Sequence, residues 1–135
     1  MNLPRFDSAR VLTIGDAMLD RYWHGATSRI SAEAPIPVVD VDVVEDRLGG
    51  AANVVLNVSA LGASSALVAT LGDDEYGGII RNKLASAGIS DLCVLSPEHQ
   101  TVAKLRIVSQ GQQLVRADFE EIKDSPFVLL EEMFS

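Results

Sequence analysis

The stretch GGAANVVLNVSALG, residues 49–62, constrains the fold of this chain more than any other part of the sequence. Its apolar run over 51–61 predicts a helix that ends at Gly62, because glycine readily follows a last helical turn. A glycine pair directly before a helix lets a ligand approach the backbone, and the first helical turn offers free N–H groups. Asn53 and Asn57 are amides within this apolar run, so we ask what each of them contacts.

Short apolar runs on either side of this helix predict buried strands at 11–15 and 65–72. Asp73 or Asp74 is predicted to cap a second helix that ends at Gly88. The apolar face of that helix would carry Tyr76, Ile80, Leu84 and Ala87. Strands that alternate with helices indicate the α/β class, with a parallel sheet and right-handed crossovers.

The segment between the first strand and the glycine pair is predicted to be an extended, partly exposed flap. Pro35 and Pro37 exclude a continuous helix there, and VVDVDVV over 38–44 partly alternates apolar and acidic residues.

Beyond Gly88 the pattern predicts three further strands, of which the last two form a hairpin through QGQ. These strands are residues 91–96, 101–109 and 113–119. Lys104 and Arg106 are two residues apart and so share one face, and Arg116 lies on the facing strand. The tail over 125–135 is predicted to begin a helix.

Composition limits the classes of protein to which the chain can belong. Its 135 residues and 47% hydrophobic content suit one domain with a real core. A net charge of −8 argues against non-specific nucleic-acid binding, which depends on basic residues. The sequence shows no stretch resembling a membrane span or a secretory signal, which predicts a cytoplasmic protein. The single cysteine, Cys93, excludes an internal disulfide and is predicted to be a buried strand residue.

Polar residues cluster where a ligand would bind an open α/β sheet, beyond the carboxyl ends of its strands. Asp16 and Asp20 follow the first strand, and Asn53 lies one turn into the helix behind the glycine pair. Carboxylates accept hydrogen bonds from hydroxyl groups, whereas an amide both donates and accepts, so this set suits a polyol. Asp16 has an alternative role as the cap of a turn.

These residues together resemble the ribokinase-like, PfkB-type sugar kinases. Nearly the whole chain is similar to the kinase half of the bifunctional heptose-7-phosphate kinase/ADP-heptose synthases, and the resemblance is most specific in GDAMLDRYWHGATSRISAEAPIPVV. It implies that residues 1–135 form the N-terminal portion of a ribokinase-like domain, with part of a doubly wound parallel sheet and a small β lid. It also implies that the sugar hydroxyls are bound by Asp20, Gly49, Gly50 and Asn53.

The same resemblance assigns a lid to segments of about 21–48 and 101–118, which would cover the sugar and serve as a dimer interface. Lys104 and Arg106 would face the sugar, and an arginine fork suits the phosphate of a sugar phosphate. Further candidates for phosphate binding are Arg29 and Arg116. In the alternative interpretation, the basic residues of this strand pair form a solvated face paired with Asp118 and Glu120.

The family segment D-T-x-G-A-G-D, which supplies the catalytic base, does not occur in these 135 residues. We therefore expect the polypeptide to be inactive alone, with ATP and Mg²⁺ serving a full-length parent and neither bound by this fragment. An uncovered sheet edge favours a homodimer or a larger assembly. Two other interpretations remain open: a non-catalytic dimerisation or folding module, and a PfkB-type kinase for another sugar.

Overall fold

A computed structural model of the chain describes residues 5–120. Its helices and strands, in chain order, are β1 Arg10–Ile14, β2 Ala17–Ile30, β3 Pro37–Gly50, α1 Ala51–Ala60, β4 Ser64–Val68, β5 Thr70–Gly72, α2 Glu75–Ser86, β6 Ser90–Asp91, β7 Val94–Ser96, β8 Val102–Ser109 and β9 Gln112–Phe119. The helix predicted over 125–135 lies outside the described residues.

Two small parallel sheets and both helices form an α/β layer, as the strand and helix pattern predicts. One sheet has the order β1-β4-β6, and the other consists of β5 and β7. The residues at the centre of this layer are fully buried: Ala52, Val55, Leu67, Leu71, Ile80 and Leu84. Tyr76 and Ala87 pack against this core, which confirms the predicted apolar face of α2.

The strands predicted at 65–72 and 91–96 are each wrong as single strands, because both are interrupted. The chain leaves one parallel sheet at Val68 and enters the other at Thr70. In the second segment, the Asp91 carboxylate accepts a hydrogen bond from the backbone N–H of Cys93 at 2.9 Å. This local bond offers the backbone an alternative to strand pairing and separates β6 from β7.

Cys93 is therefore not a strand residue, and it is only partly buried. Its burial, together with the neighbouring Asp91, raises the pKa of the thiol to about 12. A thiol with so high a pKa stays protonated at neutral pH and is a poor nucleophile.

The four remaining strands form a separate sheet in the order β3-β2-β8-β9. Strands β2 and β3 make a long antiparallel hairpin, which agrees with the predicted extended flap. β8 pairs with β2 in parallel and with β9 through a tight antiparallel turn. Gln110 and Gly111 in this turn have φ values of 51° and 78°. Positive φ at both central residues is the geometry of a type I′ hairpin turn.

The four-stranded sheet is anchored to the α/β layer at one end only. Ala17, Leu19, Leu48 and Ala103 are buried in the shared core. These residues lie at the start of β2, the end of β3 and the start of β8. All eight residues of β9 are exposed, as are most residues of β3. The sheet therefore extends away from the layer that holds most of the core.

Candidate functional site

The strand register places two rows of polar side chains on one face of the four-stranded sheet. From β3 to β9, the first row is Arg47, Asp20, Lys104 and Asp118, and the second row is Glu45, Tyr22, Arg106 and Arg116. Side chains two residues apart on a strand point to the same side, so the two rows share one face. We call these eight residues the polar face.

Asp20 and Arg106 form the shortest ion pair of the polar face. The Arg106 Nη1 donates to Asp20 Oδ1 at 2.6 Å. Both side chains are partly buried, with 21% of Asp20 and 16% of Arg106 exposed. The hydrogen bond to Asp20 raises the pKa of Arg106 above its ordinary value. The structure thus brings together two residues predicted to bind a sugar and its phosphate, although they are 86 positions apart.

Tyr22 lies between two guanidinium groups. The Cζ atom of Arg47 is 4.6 Å from the centroid of its ring, and the Cζ atom of Arg106 is 5.1 Å from it. Such contacts are attractive because the face of an aromatic ring is electronegative. Arg47 also donates twice to the Glu45 carboxylate, at 2.7 and 2.9 Å. These hydrogen bonds lower the pKa of Glu45 and fix the Arg47 side chain.

The other basic residues of the polar face are paired with Asp118. Its carboxylate is 2.9 Å from Arg116 Nη2 and 3.6 Å from Lys104 Nζ. Loss of some solvent contact acts to raise the pKa of Asp118, but the neighbouring Arg116 and Lys104 outweigh this effect and lower the pKa. Lys104 and Arg116 therefore pair with Asp118, as the alternative interpretation of a solvated, paired strand face predicts. This interpretation does not hold for Arg106, which pairs with Asp20 instead.

The glycine pair lies where neighbouring atoms leave no room for a Cβ atom. A Cβ atom on Gly49 would lie 2.8 Å from Asp20 Oδ2 and 2.7 Å from the Cγ of Met18. Gly50 has a φ of 57°, and a Cβ atom there would collide with the backbone oxygen of Asp16. That oxygen accepts the N–H of Ala51 at 2.8 Å, at the entry to α1. Gly50 thus lets the chain turn tightly from β3 into the helix, and Gly49 leaves room for the side chains of Met18 and Asp20.

Asp16 and Asn53 lie on either side of this turn. Asp16 is exposed between β1 and β2, and Asn53 is exposed in the first turn of α1. Asn57, one turn further along, is exposed as well. Asp16 contributes its carbonyl group to the backbone at this point, which resembles the turn role considered as its alternative.

Arg29 is not brought to the polar face. It lies nine residues beyond Asp20 on β2, roughly 30 Å along an extended strand. Its guanidinium is 3.6 Å from the Asp40 carboxylate, and both side chains are exposed.

Tyr22 and Arg47 were missed by reasoning from the sequence. Tyr22 follows Asp20 by two positions, so strand periodicity alone would have placed it on the same face. Arg47 required knowledge of the β2–β3 register, in which it stands opposite Asp20.

The opposite face of the same sheet is tied to α2 by Arg21. Its guanidinium donates to both oxygens of Asp46, at 2.8 and 3.0 Å, and to Glu75 Oε1 at 3.3 Å. The Arg21 Cζ is also 5.0 Å from the ring centroid of Tyr76. Hydrogen bonding to Asp46 is the main cause of the raised pKa of Arg21. Asp20 immediately precedes Arg21 on β2 and lies on the other face, so this tie also orients the candidate site.

Asp74 fixes the start of the strand that carries Lys104 and Arg106. It caps α2 by accepting the Gly77 N–H at 2.8 Å, as predicted for one of two candidate residues. Its second oxygen accepts the Thr101 N–H at 2.8 Å. Thr101 Oγ1 in turn accepts the Gly72 N–H at 2.8 Å. These bonds join β5, α2 and β8 at one buried point.

The fold and the polar face suit the carbohydrate kinases, and comparison with known proteins shows the family. The pfkB family of carbohydrate kinases matches residues 8–132, and the chain belongs to this family. It is 53% identical, over its full length, to the "Bifunctional protein HldE" of Pseudomonas syringae pv. syringae strain B728a. It is 55% identical over 121 residues to the protein of the same name in Pseudomonas putida strain W619. The chain spans 29% and 26% of these relatives.

Solved structures confirm the ribokinase-like fold. A carbohydrate kinase from Agrobacterium tumefaciens superposes with a TM-score of 0.67 at 20% identity, over 82% of this chain and 35% of the other. A putative ribokinase from the same organism gives 0.63 at 21% identity, over 90% of this chain and 42% of the other. The predicted family and fold class are therefore both confirmed.

Proposed function

We propose that this chain is the sugar-binding N-terminal part of an ATP-dependent kinase. Its substrate would be D-glycero-D-manno-heptose 7-phosphate, phosphorylated at O1 during synthesis of ADP-heptose for the lipopolysaccharide core. The observation that carries this proposal is the Asp20–Arg106 pair beside Gly49. In this pair, a carboxylate that can accept hydrogen bonds from sugar hydroxyl groups lies next to a guanidinium that can donate hydrogen bonds to a phosphate. Family membership supports the carbohydrate kinase class. The resemblance of the sequence to the kinase half of the bifunctional heptose-7-phosphate kinase/ADP-heptose synthases supports the heptose substrate.

The carboxylate of Asp20 would accept hydrogen bonds from sugar hydroxyl groups, assisted by Asp16 and Asn53 at the rim of the helix entry. Gly49 and Gly50 would let the sugar approach the backbone there. The phosphate would be bound by Arg106, with Lys104 and Arg116 beside it on the same face. Arg29 lies too far along β2 to share this ligand and is left out of the proposed site.

Residues 5–120 contain no group of three or more His, Cys, Asp or Glu side chains that could hold a metal ion. We propose that neither ATP nor Mg²⁺ is bound by this part of the chain, because the family segment that supplies the catalytic base does not occur in these 135 residues. The whole protein would hold both elsewhere. We expect the 135-residue chain to bind the sugar phosphate and to show no phosphoryl transfer by itself.

We also propose a homodimer or larger assembly formed through the four-stranded sheet, which would act as the lid over the sugar. Large apolar side chains are exposed on this sheet: Ile30, Val41, Val43, Val44, Leu114, Val115 and Phe119. Exposed apolar area of this kind is typical of an interface. This observation also favours the second candidate function, a dimerisation or folding module without catalysis. A PfkB-type kinase for a different sugar is the remaining alternative.

A cytoplasmic location is proposed, in keeping with a kinase that uses ATP. No helix within the described part of the chain is long and apolar enough to span a bilayer. The net charge of −8 makes nucleic acid an improbable partner, because a nucleic-acid phosphate backbone is bound through basic surfaces.

Isothermal titration calorimetry of the chain with heptose 7-phosphate tests the sugar assignment. We expect binding by the wild type and at least a tenfold loss in Asp20→Ala and in Arg106→Met. Asp91→Asn is the matched control, since Asp91 lies on β6 of a different sheet and pairs there with Arg81 of α2. Absence of binding, or equal affinity in Asp20→Ala and Asp91→Asn, would contradict the proposed site.

A coupled ADP-release assay separates the enzyme from the module. The whole protein should turn over heptose 7-phosphate with ATP and Mg²⁺, and ³¹P NMR of the product should show a new phosphate at O1. No turnover by the whole protein would favour the non-catalytic module, and turnover only with another sugar would favour the third interpretation.

A further inference from the structure

In this structure the site proposed for the sugar phosphate is occupied by its own side chains. The Asp20 carboxylate, proposed as the hydroxyl acceptor, already accepts a hydrogen bond from Arg106 at 2.6 Å. Arg106, proposed to donate hydrogen bonds to the phosphate, already has a carboxylate as its partner. Since both side chains are partly buried, water replaces a lost partner of either one only in part.

The register of β8 and β9 gives Arg106 a second reason to bind an anion. Arg106 stands directly opposite Arg116. Like charges directly opposite each other across an antiparallel pair destabilise that pair. Asp20 on one side and Asp118 on the other offset this repulsion, at 2.6 and 2.9 Å. If Asp20 were engaged elsewhere, Arg106 would need a replacement anion.

The Tyr22 ring limits where the released guanidinium can go. It lies 5.1 Å from the Cζ of Arg106 and 4.6 Å from the Cζ of Arg47. Arg47 is itself fixed by two hydrogen bonds to Glu45. The Tyr22 ring therefore contacts both Arg106 and the fixed Arg47 side chain. This contact keeps the Arg106 guanidinium on the polar face when Asp20 no longer pairs with it.

We propose that the Asp20–Arg106 pair is an internal substitute for a ligand that carries both hydroxyl groups and a phosphate. The hydroxyl groups take the place of Arg106 at the Asp20 carboxylate, and the phosphate takes the place of Asp20 at the guanidinium. A neutral sugar satisfies Asp20 but leaves Arg106 without an anion, and inorganic phosphate satisfies Arg106 but leaves Asp20 without a donor. Only a sugar phosphate satisfies both residues, so Asp20 and Arg106 together determine the specificity for this class of ligand. This inference rests on the proposed function for the identity of the sugar.

The test exploits a gain of affinity that a purely structural role would not produce. Asp20→Asn removes the competing anion and frees Arg106, so the chain should bind inorganic phosphate about three- to tenfold more tightly than the wild type. The same variant should bind heptose 7-phosphate more weakly. Titrations followed by ¹⁵N-resolved NMR would measure both affinities, and the amide spectrum would show that the variant is folded.

Two further variants make the result decisive. Arg106→Met frees Asp20, so this variant should bind the unphosphorylated heptose about three- to tenfold more tightly and the heptose phosphate more weakly. Asp91→Asn is the matched control, because it makes the same change of charge and also releases an arginine, Arg81, outside the polar face. Its phosphate affinity should equal that of the wild type. If Asp20→Asn does not fold, the Arg106→Met titration decides.

The outcomes separate this inference from the proposed function. Binding of heptose 7-phosphate by the wild type, without the two gains of affinity, would overturn the internal substitute and leave the sugar site in place. A gain of phosphate affinity in Asp20→Asn, with no binding of any heptose by the wild type, would support the pair and overturn the sugar assignment. An equal gain in Asp91→Asn would attribute the effect to net charge and overturn the inference.

Discussion

The α/β layer and the four-stranded sheet are stabilised by different interactions. In the layer, α1 and α2 cover Leu67 and Leu71 so completely that neither side chain has measurable exposure. In the sheet, the buried apolar residues lie at the end that meets the layer, and the outer strand β9 is exposed throughout. Burial of apolar surface therefore stabilises the layer, whereas most of the sheet is held by backbone pairing between its strands.

This difference explains where the candidate site lies. Binding regions are commonly drawn from the less stable parts of a structure, because a ligand must be able to rearrange them. The polar face consists of charges that neutralise one another at a sheet surface, and such pairs contribute little to folding. Its ion pairs can be exchanged for ligand contacts without disturbing the core beneath.

The sharpest test of the comparison replaces one leucine in each region. Leu84→Ala removes a fully buried side chain of α2 and should lower the free energy of unfolding by about 2–5 kcal/mol. Leu114→Ala, on the exposed strand β9, should change it by less than about 1 kcal/mol. Urea denaturation followed by circular dichroism measures both. Similar losses in the two variants would show that the sheet has a core of its own and would break the comparison.

The junction between the two regions should be nearly as sensitive. Gly50→Ala places a side chain at a φ of 57° and drives its Cβ into the Asp16 carbonyl. Conformational strain and overpacking together should lower the free energy of unfolding by roughly 2–4 kcal/mol. Gly88→Ala is the matched control, because Gly88 also has a positive φ but open space around it. Its loss should be about 1–2 kcal/mol. Equal losses would show that the contact with Asp16 is unimportant.

Asp74 links the layer to the start of β8, and its contribution should depend on pH. Burial acts to raise the pKa of Asp74, but hydrogen bonds from Gly77 and Thr101 outweigh it and lower the pKa. Asp74→Asn places an amide donor against the Thr101 N–H, so stability at pH 7 should fall by about 1–3 kcal/mol.

Because the folded pKa of Asp74 is lowered, its stabilisation is fully present above the unfolded value of about 3.9 and is lost as the pH falls through the folded pKa. The difference between wild type and Asp74→Asn should therefore shrink below about pH 4. Urea denaturation from pH 7 to pH 3 measures it. Asp73→Asn, at the exposed neighbouring position, should behave like the wild type throughout. A difference that stays constant with pH would contradict the role of the carboxylate.

The two regions also differ in how far the sequence predicts them. The helices of the α/β layer follow from apolar spacing, because burial imposes the helical period on residues such as Ile80 and Leu84. The interruption of β6 and β7 did not follow, since it depends on one hydrogen bond between Asp91 and Cys93. Apolar runs predict burial better than they predict which sheet a strand joins.

For the candidate site, the residue types were predictable and the partners were not. Alternation along β8 correctly placed Lys104 and Arg106 on one face. Their pairing was beyond the sequence, because Arg106 meets Asp20 only through the parallel register of β2 and β8. Arg47 became part of the site through the β2–β3 register in the same way. The contributions of Asn53 and Asp16 to binding remain predictions.

The smallest expected effect concerns the contact of Arg21 that ties the four-stranded sheet to α2. Arg21 forms a two-pronged pair with Asp46 and reaches Glu75 and Tyr76 of α2, with only 15% of its side chain exposed. Arg21→Lys keeps the charge but loses the fork, which should lower the free energy of unfolding by about 1 kcal/mol. Arg81→Lys is the matched control, since Arg81 pairs with Asp91 within the α/β layer, and no measurable change is expected. Because Asp20 immediately precedes Arg21 on β2, Arg21→Lys should also weaken binding of heptose 7-phosphate, whereas Arg81→Lys should not. Calorimetric titration of the two variants checks this. A loss of stability without a loss of affinity would mean that the sheet keeps its site in place without being held to α2.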